Sequence, residues 1–227
     1  MSNFEASLPF KLTAAQTKVV SEILQDQKRA RHMNRLLQGD VGSGKTVVAA
    51  MAMYAVVTAG MQAAMMAPTE ILAQQHALSL TQLFDNAGLT LRVELLTSGL
   101  KVAARRQLLE DLENGDIDIL VGTHALLQPD VVFHHLGLAV IDEQHRFGVN
   151  QRAALRENGV NPDILAMTAT PIPRTLSITA YGEMDVSVID QLPSGRKAIK
   201  TTRMGHNQLD NAIAFVKNRL MMAHKLI

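Results

Sequence analysis

Arg35-Leu36-Leu37-Gln38-Gly39-Asp40-Val41-Gly42-Ser43-Gly44-Lys45-Thr46-Val47-Val48-Ala49-Ala50-Met51 reads as a strand, a glycine-rich turn and a helix in succession. Leu36 and Leu37 form the apolar strand, and Val47 opens a helix-forming run. Between them, Gly39 to Thr46 fits the pattern G-x-x-x-x-G-K-S/T in the context that pattern requires. Glycines at this spacing let the backbone wrap a phosphate with its N–H groups, and the helix N-terminus adds partial positive charge. Lys45 reaches the β and γ phosphates, and Thr46 offers its hydroxyl to Mg²⁺. At average residue usage the pattern arises by chance on the order of once per hundred chains. The binding set is therefore Gly39, Gly42, Ser43, Gly44, Lys45 and Thr46, and the ligand is a nucleoside triphosphate with Mg²⁺.

Around this unit, short apolar runs alternate with helical patterns. Strands are expected at Arg35–Gln38, Gln62–Ala67, Arg92–Thr97, Ile117–Gly122, Leu138–Ile141, Asp163–Thr168 and Val186–Ile189. Helices are expected at Lys45–Thr58, Glu70–Asn86 and Val102–Asn114. Such alternation implies an α/β fold, a mainly parallel sheet with helices on both faces. Gly115, Gly137 and Asn161-Pro162 punctuate the elements.

Two further strand ends carry chemistry. Leu138-Ala139-Val140-Ile141 delivers Asp142 and Glu143 at its C-terminal end, the edge where ligands bind in such sheets. Asp142 is expected to hold Mg²⁺, and Glu143 to orient and deprotonate the attacking water. With Lys45 they form the catalytic set; Thr46 and Asp142 form the metal set. Met167-Thr168-Ala169-Thr170-Pro171 ends the strand begun by Ile164-Leu165-Ala166. By itself a Thr-rich strand end is an ordinary helix cap; its place after the other motifs gives it meaning.

Composition excludes several classes. No apolar run reaches the roughly 18–20 residues of a membrane span, and the first residues lack the basic-then-apolar order of a secretory signal. With no cysteine, disulfides and thiolate metal sites are out, which fits a reducing cytoplasm. Lys plus Arg is 22 against 21 for Asp plus Glu, so nucleic-acid contacts must be local rather than global. Tryptophan is absent and aromatic residues are 4%, against a base-stacking platform.

After Ile189 the composition shifts. Gln191-Leu192-Pro193-Ser194-Gly195-Arg196-Lys197 mixes Pro, Gly and charge as a linker does. The expected organisation is a domain over 1–190, a linker over 191–200 and the start of a second domain over 201–227. In the last segment Leu209, Ile213, Val216 and Leu220 form one apolar helical stripe that must pack on something, either this domain or a following one.

The ordered motifs resemble the superfamily 2 helicases, and most closely the RecG family of branch-migration helicases. The resembling stretches are Leu8–Gln16, Gly39–Thr46, Ala67–His76, Val121–Ala125, Asp142–Val149 and Met167–Thr175, within a match from about Leu8 through about Arg196. Transcription-repair coupling translocases share a segment like Pro171–Arg174, but their acidic motif reads D-E-E-H, and Gln144 here favours the RecG family. A nucleotide-binding switch without motor activity is a third reading. The intact Glu143 argues against it, and no N-K-x-D guanine motif is present.

The resemblance implies a RecA-like P-loop NTPase domain that uses ATP and Mg²⁺ to remodel branched or forked duplex DNA in recombination and repair. It implies that Gln16 reads the adenine edge and that Phe10 packs near the base. Thr69, Ser98, Gly99, Thr123 and His124 would line the DNA path, touching phosphates rather than reading bases. Gln144, His145, Thr168 and Thr170 would couple nucleotide state to DNA grip. Arg105 and Arg106 follow the Ser98-Gly99 turn, where a solvated helix face competes with a DNA contact. The family's partners within one chain are a second RecA-like domain, which supplies arginine fingers, and an N-terminal wedge domain; its place is the bacterial cytoplasm, associated with the nucleoid. Neither partner domain fits in 227 residues, so the expectation is a motor-domain fragment. Since an arginine finger is worth roughly 10³–10⁵ in rate, such a fragment is expected to hydrolyse ATP feebly.

Overall fold

The computed structural model describes residues 2–142, 161–170, 184–191, 209 and 213–217. Its elements run α1 (Ser2–Ser7), α2 (Ala14–Asp26), β1 (Asn34–Gly39), α3 (Lys45–Thr58), β2 (Gln62–Met66), α4 (Glu70–Asn86), β3 (Val93–Leu96), α5 (Val102–Asn114), β4 (Ile119–Gly122), a 3₁₀ turn (His124–Leu127), β5 (Leu136–Asp142), β6 (Asp163–Thr168) and β7 (Asp185–Ile189). The chain divides into two compact units, Met1–Ser194 and Gly195–Ile227.

All seven described strands form one parallel sheet in the order β3-β4-β2-β5-β6-β1-β7. Crossovers between parallel strands are right-handed, so the direction of travel across the sheet decides which face each helix covers. From β1 to β2 and from β2 to β3 the chain moves the same way. From β3 back to β4 it moves the other way. Accordingly α3 and α4 share one face and α5 takes the opposite one. Strand alternation matches: Ala63 and Met65 pack with Val48, Met51 and Phe84 on the first face. Met66, Leu96 and Leu120 pack with Leu108 and Leu112 on the second.

α3 is the central helix. Val47, Val48, Ala49, Ala50, Met51, Ala52, Met53 and Val56 are all buried, so it is apolar around its circumference as a core helix is. Phe4 of α1 is fully buried, with its ring 5.0 Å from Tyr54 and 5.4 Å from Phe84. That contact seals the outer side of α3 and α4. At the opposite end of the strands, Gln62 Nε2 donates to the carbonyls of Leu112 (3.0 Å) and Ile117 (2.8 Å), while its Oε1 accepts from the His135 N–H (3.0 Å). One buried amide thereby ties the end of α5 and the approaches to β4 and β5 to β2.

The parallel α/β expectation holds, and α3, α4 and α5 have the expected bounds. β3 and β4 are shorter than the apolar runs suggested, and β5 begins two residues earlier, at Leu136. α1, α2 and the 3₁₀ turn were not anticipated as elements. Gln16 lies in the first turn of α2. Thr13 is the N-cap, its side chain accepting from the Gln16 N–H at 3.2 Å while Gln16 Oε1 accepts from the Thr13 N–H at 2.8 Å. This reciprocal capping box is itself a sequence signal. In the second unit, residues 213–217 are helical, and Leu209, Ile213 and Val216 are exposed. Leu220 lies outside the described residues, as does most of the expected 191–200 linker.

A buried ion pair joins α2 to the sheet. Arg35 on β1 donates through Nε (2.9 Å) and one Nη (2.6 Å) to Asp26 Oδ2, and through the other Nη to Ser187 Oγ on β7 (2.7 Å). Both charged side chains are at most 10% exposed. Asp26 also accepts from Arg29 (2.8 Å) and Arg35 lies 3.5 Å from Glu22, so removing one partner of the pair is partly compensated and costs at most about 3–5 kcal/mol, whereas replacing both by apolar groups costs far less. Arg35→Met alone is expected to lower stability in urea unfolding by up to that amount, and Arg35→Met with Asp26→Leu to recover most of the loss. Additive losses would contradict the pairing.

Candidate nucleotide and nucleic-acid site

The strand register brings the motifs to one edge. Leu96, Gly122, Met66, Ile141, Ala166 and Leu36 form a continuous cross-strand row. The segments after β3, β4, β2, β5, β6 and β1 therefore all leave the same C-terminal edge. Two groups result. The phosphate loop, Asp142 and Thr168–Thr170 follow β1, β5 and β6. Thr69, Ser98-Gly99 and Thr123-His124 follow β2, β3 and β4. At ~4.8 Å per strand the outer members of the two groups, β1 and β3, are ~24 Å apart, whereas the inner members, β2 and β5, are neighbours in the sheet.

In the phosphate loop Gly42 and Gly44 have φ of +78° and +90°. Gly44 is also the N-cap of α3 and provides no side-chain cap, so the first-turn N–H groups face no capping side chain. Lys45 Nζ is folded back on the carbonyls of Gly39 (2.6 Å) and Asp40 (3.1 Å). Ser43 is buried, and its Oγ has no hydrogen-bond partner among the described residues. An anion-wrapping loop with a lysine, an uncapped helix start and an unsatisfied hydroxyl is a donor set that fits a nucleotide's phosphates.

Gln16 braces this loop. It is buried, and its Nε2 donates to the Ser43 carbonyl at 2.8 Å. With its Oε1 on the Thr13 N–H, the amide links the α2 cap to the loop and retains one N–H and one lone pair. Phe10 is half exposed and, with Leu8, Pro9 and Leu12, lines an open cavity of about 640 Å³.

Asp142, at the end of β5, accepts from His76 Nε2 at 2.7 Å. Thr168 Oγ1 accepts from the Thr170 N–H (3.2 Å) and lies 3.0 Å from its Oγ1, so the two threonines form one local hydrogen-bonded turn. Glu143, Gln144 and His145 lie outside the described residues.

In the second group, Thr69 is exposed and caps α4, its Oγ1 accepting from the Leu72 N–H at 3.3 Å. Ser98, Gly99 and His124 are exposed, and Thr123 is buried. Both donors of Ser98, its N–H (2.9 Å) and its Oγ (2.6 Å), go to Glu70 Oε1. These bonds, with nearby His124 as a lesser influence, hold the Glu70 carboxyl below its ordinary value. A phosphate arriving at Ser98 must therefore exchange with Glu70. Arg105 is occupied by Gln128 (2.8 Å) and Asp130 (2.6 Å). Arg106 lies 3.7 Å from Glu110 on an exposed face, as a solvated helix surface would place it. Neither Glu70 nor His76 stands out in the sequence, although both fall in the stretch Ala67–His76.

A family model for the DEAD/DEAH box helicases matches residues 13–178, and the chain belongs to that family. Within it the resemblance to RecG is upheld. The chain is 59% identical over 216 residues to the ATP-dependent DNA helicase RecG of Streptococcus pneumoniae and 58% identical over 220 residues to that of Bacillus subtilis. These alignments cover 95% and 97% of the chain and 32% of each relative. The chain thus spans about a third of the length of the curated relatives it matches. A solved RecG bound to a three-way DNA junction superposes with a TM-score of 0.87 at 43% identity, over 97% of this chain and 29% of that one.

A Cβ on Gly44 would lie 2.2 Å from Gln16 Nε2 at a φ of +90°, whereas one on Gly99 would meet open space. Gly44→Ala is expected to lose at least about 1–2 kcal/mol from the backbone alone and to abolish ATP-analogue binding. Gly99→Ala is expected to stay within about 0.5 kcal/mol of the parent. Thermal melts and fluorescent-nucleotide titrations report both; equal effects at the two positions would contradict the loop geometry.

Proposed function

We propose that residues 1–190 are the first RecA-like motor domain of an ATP-driven DNA helicase of the RecG type. Residues 191–200 would be its linker, and 201–227 the opening of a second RecA-like domain. The observation that carries this is that one sheet edge holds two groups of loops, the phosphate loop, Asp142 and Thr168–Thr170 after β1, β5 and β6, and Thr69, Ser98 and Thr123 after β2, β3 and β4; it supports a nucleotide role for the first and a DNA-strand role for the second. A nucleotide switch needs the first group alone; a motor needs both on one rigid sheet. The parent protein would act on branched or forked duplex DNA in recombination and repair, in the bacterial cytoplasm. The junction-bound RecG supports that substrate class. Identities of 58–61% to RecG relatives favour this over a transcription-repair coupling translocase.

The phosphate loop would wrap the β and γ phosphates, and Lys45 would leave the Gly39 and Asp40 carbonyls to neutralise charge developing on the transferred phosphoryl group. Thr46 and Asp142 would hold Mg²⁺. Bound Mg²⁺ supplies electrostatic stabilisation of the triphosphate. Glu143 would orient the attacking water and take its proton. Gln16 would turn its remaining hydrogen-bonding capacity to the adenine edge, with Phe10 beside the base. Thr69, Ser98, Gly99, Thr123 and His124 would hold backbone phosphates. Gln144, His145, Thr168 and Thr170 would transmit nucleotide state across the cleft to a second RecA-like domain.

Hydrogen bonds to charged groups contribute about 1.5–3 kcal/mol, so Lys45→Ala is expected to weaken binding of a Mg²⁺–ATP analogue by roughly ten- to a hundredfold. In the helicase carrying this domain, ATP turnover on three-way junction DNA should fall to background while junction binding persists. Unchanged turnover in that variant would refute the assignment.

A further inference from the structure

Asp142 presents only part of its carboxylate to a ligand, because Oδ2 is engaged by His76 Nε2 at 2.7 Å. A carboxylate oxygen accepts, so Nε2 carries the hydrogen and donates it. The two side chains are 13% and 15% exposed, so the bond is largely shielded from competing water. The terminal torsion of an aspartate is broad and soft. One short hydrogen bond to Oδ2 sets that torsion and leaves Oδ1 outside the bond.

His76 belongs to α4, not to the loops of the nucleotide group. The same helix begins at Thr69 and Glu70, which stand in the strand-contacting group, with Glu70 holding the Ser98 turn. His76 is seven residues beyond Thr69, ~10 Å along the helix axis. Ala73, Leu80 and Phe84 bury the same helix against the sheet, so its first turn and His76 belong to one continuous packed element. α4 therefore touches the expected DNA path at its first turn and the metal-holding carboxylate about two turns later.

We propose that His76 is a positioning residue for Asp142, and that through it α4 links strand occupancy at Thr69 and Ser98 to the metal site. This rests on the reading of Asp142 as the Mg²⁺-holding carboxylate. A displacement of the first turn of α4, as when a phosphate exchanges with Glu70 at Ser98, shifts His76 relative to β5 and changes the set of the carboxylate. Outer-sphere hydrogen bonds to ligating groups typically control metal affinity by 10–100-fold.

The test is a Mg²⁺ titration of the chain with a fluorescent non-hydrolysable ATP analogue, with and without three-way junction DNA. His76→Ala is expected to raise the Mg²⁺ concentration for half-saturation by roughly 10–100-fold, with nucleotide affinity in EDTA unchanged. His76→Gln, whose amide can donate to the same oxygen, is expected to return most of that loss. Junction DNA is expected to move the Mg²⁺ midpoint of the parent and not that of His76→Ala. A His76→Ala titration that superimposes on a Mg²⁺-dependent parent would overturn the positioning role alone. So would a loss of EDTA-phase affinity shared equally by both variants, which marks a merely structural residue. A DNA effect of equal size in parent and His76→Ala, or none in the parent, would overturn the link through α4. A parent that binds nucleotide with no response to Mg²⁺ would instead overturn the reading of Asp142 on which the proposal stands.

Discussion

The parallel register of the sheet is the constraint on which everything else depends. Because Leu96, Gly122, Met66, Ile141, Ala166 and Leu36 stand in one row, six loops leave one edge at one height. A slip of one residue in any pairing would turn that strand's buried side chains to the opposite face. The different partners on the two faces, with Ala63 and Met65 against α3 and α4 and Met66 against α5, hold the register in place. The chemistry at the edge is thus a consequence of packing far below it.

Polar groups then tune what packing has placed. Gln16, Glu70 and His76 each hold a residue of the edge by a hydrogen bond from another element: Ser43, Ser98 and Asp142 respectively. Two of these belong to α4, which sits between the two groups of loops because β2 is next to β5 in the sheet. Lys45 bonded to its own loop carbonyls and Ser98 bonded to Glu70 share a logic. Each charged or polar group is satisfied internally in a way that a phosphate can replace without leaving a buried donor unmet.

The phosphate loop was legible because its chemistry is local: glycines, lysine and threonine lie within eight consecutive residues, and a strand and helix flank them. α4 and α5 were legible with their bounds because Thr69 caps one and Gly115, in the left-handed region, stops the other. α2 was equally legible in principle, since Ala15, Val19, Val20 and Ile23 form one buried stripe and Thr13 and Gln16 spell a capping box; it precedes the first strand and so falls outside the strand–helix alternation that marked the other helices. Strand order was not legible from residues, since β2 sits beside β5 for reasons of long-range packing. The His76–Asp142 contact spans 66 positions and the Glu70–Ser98 contact 28, and no local pattern signals either.

On this edge nucleotide and DNA are expected to engage separate loops. Hydrogen–deuterium exchange of the chain, with a Mg²⁺–ATP analogue and with three-way junction DNA in turn, tests it most directly. The nucleotide is expected to slow exchange chiefly over residues 39–48, and DNA chiefly over 69–73, 97–101 and 123–127. Protection by DNA falling on 39–48 while 97–101 and 123–127 stay unchanged would contradict it.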